Sequence, residues 1–197
     1  MPTVKNDTSG ERFPRRGNAL TRATGRTLLR LFGWRIEGEL PNVSKFVAIM
    51  APHTSNWDFF FGLCAIFELG VRVDWVGKHT LFRRPWGTFM RFLGGTPIVR
   101  TESKGAVGQI VEAMRGRESY VLGLSPEGTR KRVNRWKTGF YHIARQAGVP
   151  ILQTYFDYDR KIVGIGPLFS PTGQIERDLA EIQDFYRGMP GKHPAQF

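Results

Sequence analysis

Residues 45–69 read KFVAIMAPHTSNWDFFFGLCAIFEL. The run Lys45–Met50 is apolar and short enough for a buried strand, and it feeds through Ala51-Pro52 directly into His53. A helix is expected over Asn56–Leu69, which sets Asp58 in its first turn. A strand that delivers a polar junction to a helix is the repeating unit of α/β folds, and the alternation continues on both sides. Further strands are expected at Arg35–Leu40, Arg72–Val76, Thr96–Arg100, Ser119–Leu124, Pro150–Tyr155 and Lys161–Gly166. Helices are expected over Asn18–Trp34, from the cap candidate Ser103 to about Arg117, over about Gly139–Ala147, and from about Gln174. The segment His79–Leu93 is rich in arginine and aromatics. The pattern predicts an α/β fold in one domain, with a mixed, largely parallel sheet flanked by helices. Three regions follow: a disordered tail at 1–17, a basic amphipathic helix at 18–34, and the domain proper at 35–190.

Composition narrows the function. With 197 residues, 41% hydrophobic and 23% charged, the chain has the balance of a globular domain. A single cysteine, Cys64, excludes an internal disulfide and a cysteine-rich metal site. The net charge of +12 favours polyanionic partners: nucleic acid, an anionic membrane surface or phosphorylated substrates. No stretch approaches the roughly 20 apolar residues of a membrane span. The longest apolar run, Trp57–Val71, is broken by Asp58 and Glu68. The first residues lack the pattern of a secretory signal, so a cytoplasmic protein is expected, peripheral on the inner face of the membrane. In the helix at 18–34, Arg22, Arg26 and Arg30 share one face while Leu20, Leu28, Leu31 and Phe32 gather on the other. That pattern suits an interfacial helix or a helix docked on its own core.

The chemistry concentrates at two junctions. In His53-Thr54-Ser55-Asn56-Trp57-Asp58, a histidine at a strand end and an acid just inside a helix can approach across the turn. The imidazole then gives one ring nitrogen to the carboxylate and the other to a substrate. The pair brings no nucleophile of its own, so a substrate hydroxyl must attack. The second junction, Pro126-Glu127-Gly128-Thr129-Arg130, follows a buried strand at the edge where α/β folds place their sites. Arg130 suits a phosphate, and Glu127 suits polyol hydroxyls. Arg100, ending Gly94-Gly95-Thr96-Pro97-Ile98-Val99-Arg100, can point into the same cleft. A serine hydrolase is disfavoured because Gly123-Leu124-Ser125-Pro126-Glu127 fails the nucleophile elbow at its last position. His79, His142 and His193 share no ligand spacing with His53, so no metal is expected. Basic and aromatic residues at Phe82–Trp86 and Arg135–Lys137 would suit nucleic acid, but no nucleic-acid motif is present and no specific nucleic-acid partner is expected. Phe59, Phe60 and Phe61 either line an acyl groove or fill the core.

Four such blocks in this order resemble the glycerolipid acyltransferase family, whose best-known members acylate lysophosphatidic acid. The resemblance rests on His53…Asp58, Gly95…Arg100, Glu127-Gly128-Thr129-Arg130 and Val149-Pro150-Ile151, and covers about residues 35–155. Lys78, and Lys137 with Gly139, resemble the family's lysine-containing segments. The resemblance implies a glycerol-3-phosphate acyltransferase-like fold and an O-acyltransferase of phospholipid biosynthesis. It casts His53 as general base oriented by Asp58. It makes Glu127, Gly128, Thr129, Arg130, Arg100, Lys78 and Lys137 substrate-binding residues, with the arginines on a phosphate. The implied partners are an acyl thioester donor (acyl-coenzyme A or acyl-carrier protein), a lysolipid acceptor such as 1-acylglycerol-3-phosphate, and an anionic membrane surface. No cofactor is implied. Ser125 departs from the aromatic residue usual before Pro-Glu-Gly, and Leu152-Gln153-Thr154 departs from the usual second proline. Both keep a different lipid or polyol acceptor open.

Overall fold

The structure, a computed structural model, describes residues 12–77, 79–97, 105–129, 133, 135–189 and 191–193. Its strands are β1 (Arg35–Glu37), β2 (Lys45–Met50), β3 (Asp74–Gly77), β4 (Gly95–Pro97), β5 (Tyr120–Leu124), β6 (Ile151–Asp157) and β7 (Ile162–Phe169). Its helices are α1 (Ala19–Leu31), α2 (Asn56–Leu69), α3 (Gly87–Phe92), α4 (Gly105–Arg115), α5 (Gly139–Ala147) and α6 (Ile175–Phe185). A short 3-10 turn covers His79–Phe82. The strands form one sheet in the order β1-β7-β6-β2-β5-β3-β4, parallel throughout except where β6 meets β7. The expected α/β sheet, mixed and largely parallel, is the one observed.

The central position of β2 follows from its residues. Phe46, Val47 and Ile49 are buried on alternate faces, as a strand covered on both sides requires. One face packs Val47 and Ile49 against Met114 of α4, Phe140 and Ile143 of α5, and Ile182 of α6. On the other, Phe61, Cys64 and Ala65 of α2 meet Leu29 of α1, Trp34 and Phe156. Because β2 and β5 are parallel neighbours, the junctions that leave their C-terminal ends lie side by side. That register brings residues 51–58 against residues 125–129.

Two expectations need correction. Residues 12–17, expected to be part of a disordered tail over 1–17, are laid against the domain, and residues 1–11 lie outside the described residues. Phe13 is buried with Phe46, Val71, Val121 and Leu152, and Arg15 bridges Val71. One aromatic side chain in a polar stretch is enough to fix the segment by its burial. The strand expected over Arg35–Leu40 stops at Glu37, where Gly38 turns the chain with φ +90 and packs too closely on the Ile165 carbonyl for any side chain. The helix α1 docks through Gly25 and Leu29, and of the apolar face Leu28 packs beside them while Phe32 meets Phe60 and Phe61. A Cβ at Gly25 would lie 2.5 Å from the Cys64 carbonyl oxygen, so the missing side chain lets α1 approach α2. Leu20 and Leu31 stay exposed, at 74% and 75%. The C-terminal part of the expected strand at Thr96–Arg100, and the cap candidate Ser103, lie outside the described residues.

Candidate active site

His53 leaves the end of β2, and α2 begins immediately after it. Ser55 caps that helix: its hydroxyl accepts from the Trp57 amide at 3.2 Å. Asp58, at the third helical position, closes the reciprocal box by accepting from the Ser55 amide at 2.8 Å. This local geometry fixes where the Asp58 carboxylate points, back over the start of the helix toward His53. His53 Nδ1 lies 3.1 Å from Asp58 Oδ2. The other oxygen, Oδ1, accepts from the Tyr158 hydroxyl. Asp58 is fully buried, and its three donors stand in for water on a carboxylate that has none. The His53 ring remains partly open, with its side chain 24% exposed.

The second junction closes on the first. Glu127, 3% exposed, accepts the His53 main-chain N–H at 3.1 Å to each of its oxygens. Its expected reach toward acceptor hydroxyls is thus replaced, in this arrangement, by a grip on the backbone of the histidine. Burial pushes the Glu127 carboxyl up to about 7, opposed by that N–H and by positive charge on His53. Gly128 turns with φ +63, and its amide donates to the Ser125 carbonyl at 3.1 Å. A Cβ there would sit 2.6 Å from Lys137 Nζ, so the glycine leaves room for the lysine to lie across the turn. The Lys137 amide donates to the Pro126 carbonyl at 2.7 Å, which fixes the lysine to the same junction. Thr129 is exposed at its rim.

Of the residues expected to form the site, His53, Asp58, Glu127, Gly128, Thr129 and Lys137 therefore belong to two adjacent junctions. Lys78, Arg100 and Arg130 lie outside the described residues. Two contributors escaped the sequence reading. Tyr158, in the turn after β6, meets Asp58 across 100 positions of sequence, and no local pattern marks such a contact. The C-terminal segment around His193 lies on the His53–Asp58 junction. The His193 amide donates to Thr54 Oγ1 at 3.2 Å, and Lys192 Nζ stands 5.1 Å from the centre of the Trp57 ring. The phenylalanine run divides: Phe61 is buried and stacks on Trp34 at 4.2 Å between ring centroids, whereas Phe59 is 43% exposed. Among the described residues, no cluster of three or more histidine, cysteine, aspartate or glutamate side chains is arranged to hold a metal.

A family model described as Acyltransferase matches residues 35–156. A 1-acyl-sn-glycerol-3-phosphate acyltransferase of Haemophilus influenzae is 27% identical over 135 residues, covering 64% of this chain and 55% of that protein. The Escherichia coli enzyme of the same name is 29% identical over 135 residues, covering 64% and 54%. One from Cocos nucifera is 30% identical over 144 residues, covering 70% and 46%. The chain thus spans about half the length of the curated relatives it matches. Among solved structures, the 1-acyl-sn-glycerophosphate (LPA) acyltransferase PlsC from Thermotoga maritima is similar in fold. Its TM-score is 0.64 at 19% identity, over 84% of this chain and 75% of that one.

Proposed function

The chain belongs to the acyltransferase family, and on that premise we propose that it moves a fatty acyl group from an acyl thioester to a hydroxyl of a lysophospholipid such as 1-acylglycerol-3-phosphate. The observation that carries this reading is the 3.1 Å contact between His53 Nδ1 and the buried Asp58 carboxylate. With Nδ1 turned to Asp58, Nε2 is the nitrogen left for a substrate.

In the proposed step, the acceptor oxygen attacks the thioester carbonyl carbon as Nε2 takes its proton. The carbonyl electron pair moves onto oxygen, and the buried carboxylate stabilises the imidazolium that forms. Collapse of the adduct breaks the carbon–sulfur bond. The imidazolium then returns the proton to sulfur, releasing the thiol and leaving the protein unacylated. Glu127 holds the His53 backbone in place during this exchange. Lys137, together with Arg130 and Arg100 on the family pattern, supplies the positive charge for the acceptor phosphate. An acyl-coenzyme A and an acyl-carrier protein are both acidic donors suited to a chain of net charge +12.

A peripheral position on an anionic membrane accounts for the surface beside the site. Leu31 is 75% exposed, and Phe32 packs at 5.7 Å on Trp57, one residue before Asp58. Trp86, Phe89 and Phe92 around α3 are also exposed. Such apolar groups amid arginines suit an interface of lipid and water. No helix among the described residues is long and apolar enough to cross a membrane.

The test is release of thiol from an acyl-coenzyme A or acyl-carrier protein, with and without lysophosphatidic acid and other lysolipids, in wild type and His53→Ala. Acceptor-dependent release is expected, and the variant should lose about 10²–10⁴ in kcat. Undiminished turnover in His53→Ala would remove the histidine from the chemistry.

A further inference from the structure

We propose that Tyr158 is a positioning residue for the catalytic pair, its hydroxyl holding the Asp58 carboxylate at the angle that keeps His53 Nδ1 protonated and Nε2 toward substrate. The inference rests on the reading of His53 as base given above. Tyr158 lies beyond the stretch matched by the family model and belongs to none of the four sequence blocks.

The argument begins with how Asp58 divides its two oxygens. Oδ2 takes the Ser55 amide at 2.8 Å and faces His53 Nδ1 at 3.1 Å. Among the described residues, the hydrogen bond to Oδ1 comes from Tyr158. Asp58 is fully buried, so an Oδ1 stripped of this donor would have no water to turn to. A buried carboxylate oxygen without a donor is costly, and rotation of the carboxylate is the cheapest relief. That rotation would carry Oδ2 away from the imidazole.

The tyrosine is itself fixed from three directions. Its ring lies edge-on to Trp34 at 4.9 Å between centroids, with Phe61 at 6.4 Å and Phe156 at 6.5 Å. These neighbours come from the turn after α1, from α2 and from β6, so the socket ties the hydroxyl to the framework of the domain. Burial and the adjacent carboxylate push the Tyr158 hydroxyl far above its ordinary range, so it stays a donor throughout working pH. With Oδ2 turned away, the imidazolium would lose part of its stabilisation. Among the described residues, the other ionisable groups against this pair include Glu127, behind the His53 backbone, and Lys192, over Trp57.

Tyr158→Phe keeps the ring and its socket and removes only the hydroxyl. We expect kcat to fall roughly tenfold, in line with a lost hydrogen bond to a charged group. KM for both substrates should stay within about twofold and the thermal midpoint within a few degrees. The acid limb of the kcat/KM profile should move to lower pH, which a merely structural role would not produce. In an Asp58→Asn background the same change should add almost nothing, because the two residues act as one unit. Independently of substrate, the ¹⁵N shifts of the His53 ring should report loss of the single Nδ1–H tautomer. Wild-type kcat with an unmoved profile and unchanged ring shifts would overturn the proposal, as would full additivity with Asp58→Asn. An active His53→Ala enzyme would instead sink the base assignment itself. An inactive His53→Ala beside a fully active Tyr158→Phe would sink the role of Tyr158 alone.

Discussion

Asp58 and Glu127 are buried to nearly the same degree on two sides of one histidine, and they are held very differently. Asp58 receives an amide, an imidazole and a phenol. Among the described residues, Glu127 takes a single amide, that of His53, shared between its two oxygens. Burial disfavours charge on a carboxyl, and each donor to its oxygens offsets part of that cost. Burial pushes Glu127 up to about 7, offset in part by the His53 amide. Its role fits that state, since a carboxyl and a carboxylate can both accept from a backbone N–H. In the proposed step Asp58 meets an imidazolium as it forms, and its three donors would keep it oriented for that task.

The largest test of this contrast is at Asp58. Asp58→Asn keeps the size of the side chain and an acceptor for the Ser55 amide, but it removes the charge that stabilises the imidazolium. We expect kcat to fall by about 10²–10⁴, approaching the loss in His53→Ala, while the protein remains folded. Thiol-release kinetics beside a thermal melt would check this. Near-normal turnover would make the two carboxylates equivalent and dissolve the comparison.

A change at Glu127 should act mainly on stability, with a sign that depends on pH. Its folded value lies above its ordinary 4.5, so the protonated form is the one the fold prefers. The stability it contributes is fully present below about pH 4.5 and is lost as pH rises through about 7. Wild type should therefore lose up to roughly 3 kcal/mol from this group between pH 4.5 and pH 8. Glu127→Gln keeps an oxygen for the His53 amide and cannot ionise. Denaturant melts should show it more stable than wild type at pH 8 and nearly equal at pH 4.5. A gap that does not change with pH would mean that Glu127 is solvated and charged like a surface residue.

Much of this arrangement was legible because it is coded locally. The bounds of β2, α2 and α5 agree with the sequence reading, since α2 opens at a serine cap and both helices end at glycines of positive φ, Gly70 and Gly148. The His53–Asp58 approach follows from the same cap. What the sequence could not carry is contact between distant segments. Tyr158 reaches Asp58 only because β6 lies beside β2, and Phe13 is buried only because the chain before α1 folds back over Val71. The pairing of β1 with β7 and the reversal between β6 and β7 are likewise consequences of assembly. Glu127, expected from its motif to face acceptor hydroxyls, accepts instead from the histidine backbone. Motif spacing names residues, whereas the direction of a side chain is decided by packing.

The smallest effect separates the donors of Asp58 from one another. Ser55 gives Asp58 its main-chain amide, and its hydroxyl serves the Trp57 amide at the helix start. The hydroxyl also interacts with Tyr158. Ser55→Ala therefore removes a helix cap and one neighbour of the tyrosine, but leaves the amide that holds the carboxylate. Loss of the cap should cost about 1 kcal/mol of stability. Turnover should fall by less than about threefold, since Tyr158 keeps its bond to Oδ1 and His53 keeps its bond to Oδ2. Melts and thiol-release rates on the same preparation would decide it. A loss in kcat as large as that of Tyr158→Phe would mean that the serine hydroxyl aims the tyrosine, which extends the chain of support behind His53 by one residue. A loss confined to stability would leave the carboxylate resting on its three direct donors.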